Sequence, residues 1–164
     1  MSHCHTCELI ERRDKGLAPL WDSIHRAPYW DVVHGYDTSI LGWLVLASRR
    51  HIAAIDELTE NEATELGQLI RQVSLALKQT TGCAKTYVAQ FAEHPDHPHV
   101  HFHLVARMND LSTEWRGPNI FKCLGVSVEQ RVSEEAMNQL AIQIRQYLKK
   151  SALTVTLPTA TRVR

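Results

Sequence analysis

The sequence predicts an α+β domain in which an antiparallel sheet of about five strands carries two main helices. Short apolar segments with strand character alternate with long segments of helical periodicity, in the order strands, helix, strands, helix. The chain has 164 residues, which is enough for one domain with a substantial core. We expect a single domain over residues 1–150 and a poorly ordered C-terminal tail over 151–164.

The predicted elements follow from local signals. A short helix is expected around Glu8–Arg13. Thr59 and Glu62 form a capping box that opens the first main helix, and Gly82 is a suitable stop. The second main helix opens at 133–135. The expected strands run over 29–36, 41–46 and 86–91 and from residue 99 onward, with a further short strand near Ile120.

Charge and composition exclude several classes of function. Lys and Arg number 18 and Asp and Glu number 18, so the balance does not indicate binding to nucleic acid or to an anionic membrane. No apolar run approaches the roughly 20 residues of a membrane span, and no secretory signal is visible. Four cysteines without an export signal indicate a reducing, cytoplasmic location. There, the close pair Cys4-x-x-Cys7 is expected to bind a metal or to be catalytic rather than to form a structural disulfide.

Residues 99–105 read His-Val-His-Phe-His-Leu-Val, three histidines in strict alternation with apolar residues. Successive side chains of a strand point to opposite faces, so His99, His101 and His103 share one face while the apolar residues face the core. Pro98 cannot donate to a strand ladder and therefore precedes the strand. The two ends of the row are roughly 13 Å apart, so one metal ion cannot bind all three histidines. At least one imidazole is left for chemistry near neutral pH.

The row resembles the signature of the histidine triad (HIT) superfamily, and every position from His99 to Val105 fits it. The segment 40–51 resembles the family's glycine-led strand, which ends in a basic residue and a histidine, here His51. Arg107 stands where the family has an arginine after the triad strand. The resemblance covers roughly half of the chain, about residues 30–110, and is to bacterial-type members with an N-terminal Cys-x-x-Cys.

The resemblance implies a nucleotide hydrolase or transferase. In the family the central histidine, here His101, attacks the α-phosphorus of a nucleoside phosphate derivative and forms a nucleotidyl-histidine, which water or another acceptor resolves. A neutral His101 held as one tautomer by a carbonyl at its other nitrogen is suited to this attack. His103 is expected to donate to a phosphate oxygen, and His99 to orient the row or to bind zinc.

The expected substrates are adenosine phosphoramidates or dinucleoside polyphosphates, cleaved to a nucleoside monophosphate, with Arg107 and Gln90 as substrate contacts. Glu93 and Asp96 depart from the family pattern, because members that hydrolyse nucleotides have small or polar residues just before the triad. These carboxylates would repel an anionic substrate unless they point away or meet a cation.

The resemblance also implies a structural zinc site made by Cys4, Cys7, His51 and His99, which would fasten the N-terminus to the sheet and leave His101 and His103 free. Other histidines, at positions 3, 5, 94 and 97, are alternative ligands. A homodimer is expected because family members commonly form one.

Three other functions stay open at this point. A nucleotidyl transferase or phosphorylase would use an acceptor other than water. A zinc-stabilised module could bind nucleotides with little turnover. A metal buffer or sensor would use the ten histidines and the Cys-x-x-Cys, and it would bind more than one metal per chain.

Overall fold

The computed structural model describes residues 4–154, which contain three α-helices and one five-stranded antiparallel sheet. The helices are α1 (His5–Asp14), α2 (Glu60–Thr81) and α3 (Glu134–Thr154), and the strands are β1 (His25–Arg26), β2 (Trp30–His34), β3 (Trp43–Ser48), β4 (Lys85–Gln90) and β5 (His101–Arg107). Their order across the sheet is β1-β2-β3-β5-β4, which confirms the predicted α+β class. No helix in this part of the chain is long and apolar enough to cross a membrane.

The main core lies between one face of the sheet and helices α2 and α3. Alternation along β5 sends Phe102 and Leu104 into this core, where they join Leu44 and Leu46 of β3. Burial of each such side chain stabilises the fold by about 1.5–3 kcal/mol. The opposite face of β5 therefore carries His101 and His103, as the sequence predicts, and α1 lies on this second face.

Strand boundaries differ from prediction by one or two residues at several ends. The segments expected at 29–36, 41–46 and 86–91 are observed as Trp30–His34, Trp43–Ser48 and Lys85–Gln90. The start of β3 is delayed by Gly42, which has φ +90° and would place a Cβ only 3.0 Å from the Cβ of Ala106. A residue with a side chain is strained in that conformation, so glycine permits the close approach of the two strands.

Two predictions about β structure were wrong. Strand β5 begins at His101 rather than at His99, because the amide of His99, just after Pro98, donates to the carbonyl of His97 in a tight turn. The segment around Ile120 is a 3-10 helix (Gly117–Cys123) and not a strand. It covers the second face of the sheet, where Ile120 packs with Trp43 and Val105.

The helix predictions hold better. Helix α2 starts after Thr59 and ends at Gly82, which has the left-handed φ of +69°. Helix α1 is longer than the expected Glu8–Arg13. Helix α3 continues to residue 154, inside the predicted tail, and residues 155–164 lie outside the described chain.

The capping box of α2 also holds the segment that leads to His51. Thr59 Oγ1 accepts a 3.3 Å hydrogen bond from the backbone N–H of Glu62, and the Glu62 carboxylate accepts a 2.8 Å hydrogen bond from the backbone N–H of Thr59. The same carboxylate accepts two hydrogen bonds from Arg50, each 2.9 Å long. Arg50, together with the Thr59 bonds, lowers the pKa of Glu62 to about 2.

We predict that Glu62→Gln destabilises the protein by about 1–2 kcal/mol at pH 7, a magnitude reduced by the solvent exposure of Arg50. Since the pKa of Glu62 is lower in the folded than in the unfolded chain, its contribution is present above about pH 4.5 and disappears as the pH falls toward 2. Urea unfolding of both proteins between pH 7 and pH 2.5 measures this difference. Glu60→Gln, which alters an exposed carboxylate of the same turn, should have a smaller effect. A Glu62→Gln deficit that stays constant down to pH 2.5 would contradict the assignment.

Candidate active site and metal centre

The side chains that the sequence predicts to be catalytic lie on the second face of the sheet, at the end where β5 begins. His101 pairs with Ala47 of β3 and His103 pairs with Val45, so the two imidazoles are same-face neighbours in the middle of the sheet. Their ring centroids are 4.9 Å apart and their planes are nearly perpendicular.

His101 is held as a single tautomer. Its Nδ1–H donates to the backbone carbonyl of His99 at 2.7 Å, and a carbonyl can only accept. The lone pair of a neutral His101 therefore resides on Nε2. Burial lowers the pKa of His101, which keeps the ring neutral at pH 7.

His103 has a different environment. The indole Nε1–H of Trp43 donates to Nδ1 of His103 at 3.0 Å, and the ring of Phe121 packs edge-on against the same imidazole. Burial lowers the pKa of His103 to about 3, with a smaller contribution from His101. His103 is therefore also neutral at physiological pH.

A cluster of four side chains that could bind a metal ion lies beside His101. One donor atom each from Cys4, Cys7, His51 and His99 lies within 4.8 Å of all the others. The Sγ–Nδ1 distances are 3.6 Å between Cys4 and His99, 3.5 Å between Cys7 and His99, and 3.2 Å between Cys7 and His51. Tetrahedral zinc with ordinary Zn–S and Zn–N bonds has S···N edges of about 3.6 Å, so the cluster has the size of a structural zinc site.

The protonation states of the cluster's side chains are also compatible with a bound cation. His99 donates its Nε2–H to the carbonyl of Ser48 at 2.6 Å, which directs the Nδ1 lone pair toward the two sulfurs, as a metal ligand requires. Without a cation, burial and the adjacent Cys4 raise the pKa of the Cys7 thiol to about 11. Two neighbouring thiolates need a positive charge between them, and a Cys₂His₂ set is a donor set that zinc favours.

Helix α1 is fixed to the second face of the sheet by buried charges as well as by the cysteines. The Arg13 guanidinium lies 2.6 Å from Asp22 and 3.4 Å from Asp31, and all three side chains are at most 3% exposed. At the other end of the helix, Thr6 Oγ1 lies 2.9 Å from Nδ1 of His97. The helix thus contacts both β2 and the loop that precedes β5.

A pocket of about 600 Å³ opens in front of His101 and His103. Its wall is formed by helix α1, the 91–97 loop, β2 with the 35–37 segment that follows it, β3, Phe121 and Leu124. Charged residues in the lining are Arg13, Asp22, Asp37, Glu93 and Asp96. Another cavity, of about 780 Å³, lies between the start of β3 and helices α2 and α3, but it is lined by neither His nor Cys.

Neither of the two predicted substrate contacts, Arg107 and Gln90, lines the pocket. Arg107 is six residues beyond His101 on β5, roughly 20 Å along the strand, and does not line the pocket. Gln90 pairs with Phe102 and therefore belongs to the core-facing side of the sheet. The expected role of both residues in substrate binding stays a prediction. His5, His94 and His97 line the pocket rather than the metal cluster, and His3 lies outside the described residues.

Three aromatic residues near the histidines have no part in the predicted site. Trp43 donates a hydrogen bond to His103, while Phe91 and Phe121 line the pocket and contact each other. Alternation along β3 groups Trp43 with Val45 and Ala47, but only the pairing register with β5 shows that this side carries the histidines.

The chain has an antiparallel sheet whose strand β5 presents alternating histidines beside a Cys₂His₂ cluster, and its fold is that of solved histidine triad proteins. Solved structures with this fold resemble the chain over most of its length. A zinc-bound histidine triad family protein from Mycobacterium smegmatis superposes with a TM-score of 0.65 and 13% identity, covering 92% of this chain and 96% of the other. A hypothetical histidine triad nucleotide-binding protein from Sulfolobus tokodaii superposes with a TM-score of 0.66 and 16% identity, covering 91% of this chain and 96% of the other.

A uridylyltransferase mutant also superposes, with a TM-score of 0.64 and 15% identity over 91% of this chain, although the match covers 48% of the larger protein. No family model matches the sequence, and a comparison with curated proteins gives no match either. At these identities the structural similarity establishes the fold, which confirms the fold expected from the resemblance.

We predict that the purified protein contains about one zinc ion per chain and that Cys7→Ser lowers this content several-fold. Chelation should lower the thermal midpoint of the wild type by several degrees, because the metal joins α1 to the sheet. Elemental analysis and thermal unfolding measure the two effects. Cys123→Ser changes another buried cysteine, outside the cluster, and should keep the zinc. Unchanged zinc content in Cys7→Ser would contradict the site, and several zinc ions per chain would favour a metal buffer.

Proposed function

We propose that the protein is a nucleotide hydrolase that forms a covalent nucleotidyl intermediate on His101. The observation that carries this proposal is the hydrogen bond from His101 Nδ1–H to the His99 carbonyl, because it places the lone pair of a neutral imidazole on Nε2. A neutral, pocket-lining imidazole with one fixed lone pair is a competent nucleophile at pH 7.

The proposed reaction has two displacements at the α-phosphorus. His101 Nε2 attacks the α-phosphorus and a P–N bond forms. The bond from phosphorus to the leaving group breaks, and the leaving group keeps the electron pair and takes up a proton. Water then attacks the same phosphorus, the P–N bond to His101 breaks, and the water gives up a proton as the nucleoside monophosphate leaves. His103 lies on the same face and is suited to hydrogen-bond a non-bridging oxygen in both steps.

The zinc cluster has a structural role in this scheme. It would hold α1 and the segment ending at His51 against His99, so that the His99 carbonyl stays in place for His101. All four donors are protein side chains, which is typical of a structural site rather than a catalytic one.

The charges of the pocket favour a substrate with a basic leaving group. Among the described residues, Arg13 is the only lysine or arginine in the lining, and it is paired with Asp22 and Asp31. Glu93 and Asp96 are exposed near the entrance, where they would repel a polyphosphate and attract an ammonium group. We therefore favour nucleoside phosphoramidates of amines over dinucleoside polyphosphates.

A transferase is the second candidate, because the superposed uridylyltransferase shares this fold. The two candidates share the His101 intermediate and differ in the acceptor that resolves it. The expected homodimer stays a prediction; β4 is an edge strand with Val88 exposed, where a second copy could extend the sheet.

To test the nucleophile, adenosine phosphoramidates and dinucleoside polyphosphates are incubated with wild type and with His101→Ala. We expect release of adenosine monophosphate by the wild type and a loss of at least about 10³-fold in kcat/KM in the variant. Acid-quenched wild type should contain a nucleotidyl group on His101, detected by mass spectrometry. Reaction in ¹⁸O-water or with added phosphate identifies the acceptor.

His25→Gln is the matched control, since His25 lies on β1 and does not line the pocket. It should keep wild-type turnover. Turnover that survives His101→Ala would refute the nucleophile, and tight nucleotide binding by wild type without any turnover would favour a binding module.

The negative charge of Glu93 and Asp96 predicts that removing both carboxylates changes the substrate preference. Replacing Glu93 and Asp96 together by Gln and Asn should raise kcat/KM for dinucleoside polyphosphates relative to amine phosphoramidates by about fivefold at low salt. The gain should shrink at high salt because the groups are exposed. The control is Glu60→Gln on α2, outside the pocket, and an unchanged ratio in the double variant would argue against the proposed preference.

A further inference from the structure

Trp43 and His103 form a buried pair that the proposed reaction does not yet explain. The register joins Trp43 to Val105 and Val45 to His103, so Trp43 is a diagonal neighbour of His103 on the same face. Trp43 is fully buried and His103 is 7% exposed. Their rings meet edge-on, with centroids 5.7 Å apart, and the indole Nε1–H points at His103 Nδ1 over 3.0 Å.

This contact determines the position of the proton on His103. An indole nitrogen can only donate, so Nδ1 of His103 must be the acceptor and carry the lone pair. The proton of the neutral ring is then on Nε2. A ring rotated by half a turn would put a C–H group against the indole, and the buried N–H of Trp43 would lose its partner, which disfavours that arrangement by at least about tenfold.

We propose that Trp43 is a positioning residue that fixes His103 as the Nε2–H tautomer, so that His103 presents a hydrogen-bond donor to a phosphate oxygen. The consequence for catalysis rests on the proposed function, whereas the tautomer itself does not. His101 carries its proton on Nδ1 and His103 on Nε2, so the adjacent rings have opposite tautomers. One supplies a lone pair for attack and the other an N–H for the developing charge.

Among the aromatic rings around His103, Trp43 supplies the polar group that determines the tautomer of His103. Phe121 contacts both rings edge-on, at 5.3 Å from Trp43 and 5.2 Å from His103, and offers no hydrogen bond. His101, at 4.9 Å, uses its Nδ1–H on the His99 carbonyl. The indole is therefore the one hydrogen-bond partner of the His103 ring found among the described residues.

The first measurement uses the zinc-loaded wild-type protein labelled with ¹⁵N, at pH 7. The His103 nitrogens should show a protonated Nε2 and an unprotonated Nδ1, with a coupling across the hydrogen bond from Trp43 Nε1. A protonated Nδ1, or a mixture of both tautomers, would overturn the proposal without any variant and without any assay of turnover.

The second measurement compares Trp43→Phe with Trp30→Phe. Trp30 is an equally buried tryptophan whose Nε1–H donates to a backbone carbonyl, that of Glu62, at 2.9 Å, so both changes remove one buried hydrogen bond. We expect a mixed His103 tautomer in Trp43→Phe, and kcat reduced about 10- to 100-fold with KM changed less than about threefold. Trp30→Phe should keep the tautomer and wild-type kinetics.

The outcomes separate the two proposals. A pure Nε2–H tautomer in folded Trp43→Phe would refute the role of Trp43, whatever the turnover. A mixed tautomer with unchanged kcat would refute the catalytic consequence. If wild type has no turnover on any substrate, the proposed function fails while the tautomer result stands by itself.

Discussion

His99 connects the candidate metal centre to His101, because its ring and its backbone contact different neighbours. The His99 ring directs Nδ1 to the cysteine sulfurs and donates its Nε2–H to the Ser48 carbonyl, while the His99 carbonyl accepts a hydrogen bond from His101 Nδ1–H. A displacement of His99 would therefore disturb the metal cluster and the tautomer of His101 together. The position of His99 outside the regular ladder of β5, in the turn after Pro98, turns its ring toward α1 while its carbonyl still meets His101.

Helix α1 depends on this arrangement and also reinforces it. Its N-terminus is fixed by Cys4 and Cys7, and its C-terminal half by Arg13, whose buried charge is compensated by Asp22 and Asp31. A buried guanidinium is tolerated only when its partners are in place, so these contacts specify one position of the helix more than they add to stability. A ten-residue helix is marginal in isolation, and these tertiary contacts let it serve as a wall of the pocket.

The sequence predicts the structural features that depend on residues close together in the chain. Alternation places His101 and His103 on one face, and local signals mark both ends of α2. Long-range pairing is beyond such signals: the register of β3 with β5 brings Trp43 to His103, and the register of β4 puts Gln90 on the core side. The 3-10 helix around Ile120 was expected as a strand because a short apolar segment has no distinctive period. The cysteine–histidine cluster followed from the resemblance, not from spacing.

The charge balance of the pocket explains why proton positions matter so much in this site. Arg13 is already paired, the carboxylates at the entrance are negative, and burial keeps His101 and His103 neutral. In the proposed reaction, charge that develops on a phosphate oxygen would then be stabilised by oriented N–H dipoles rather than by a free cation. A cation stabilises an anion from any direction, whereas a neutral imidazole does so only with its proton on the right nitrogen. In the proposed reaction, the two hydrogen bonds that choose those nitrogens, from His101 to a carbonyl and from Trp43 to His103, would therefore take the place of a free arginine or lysine.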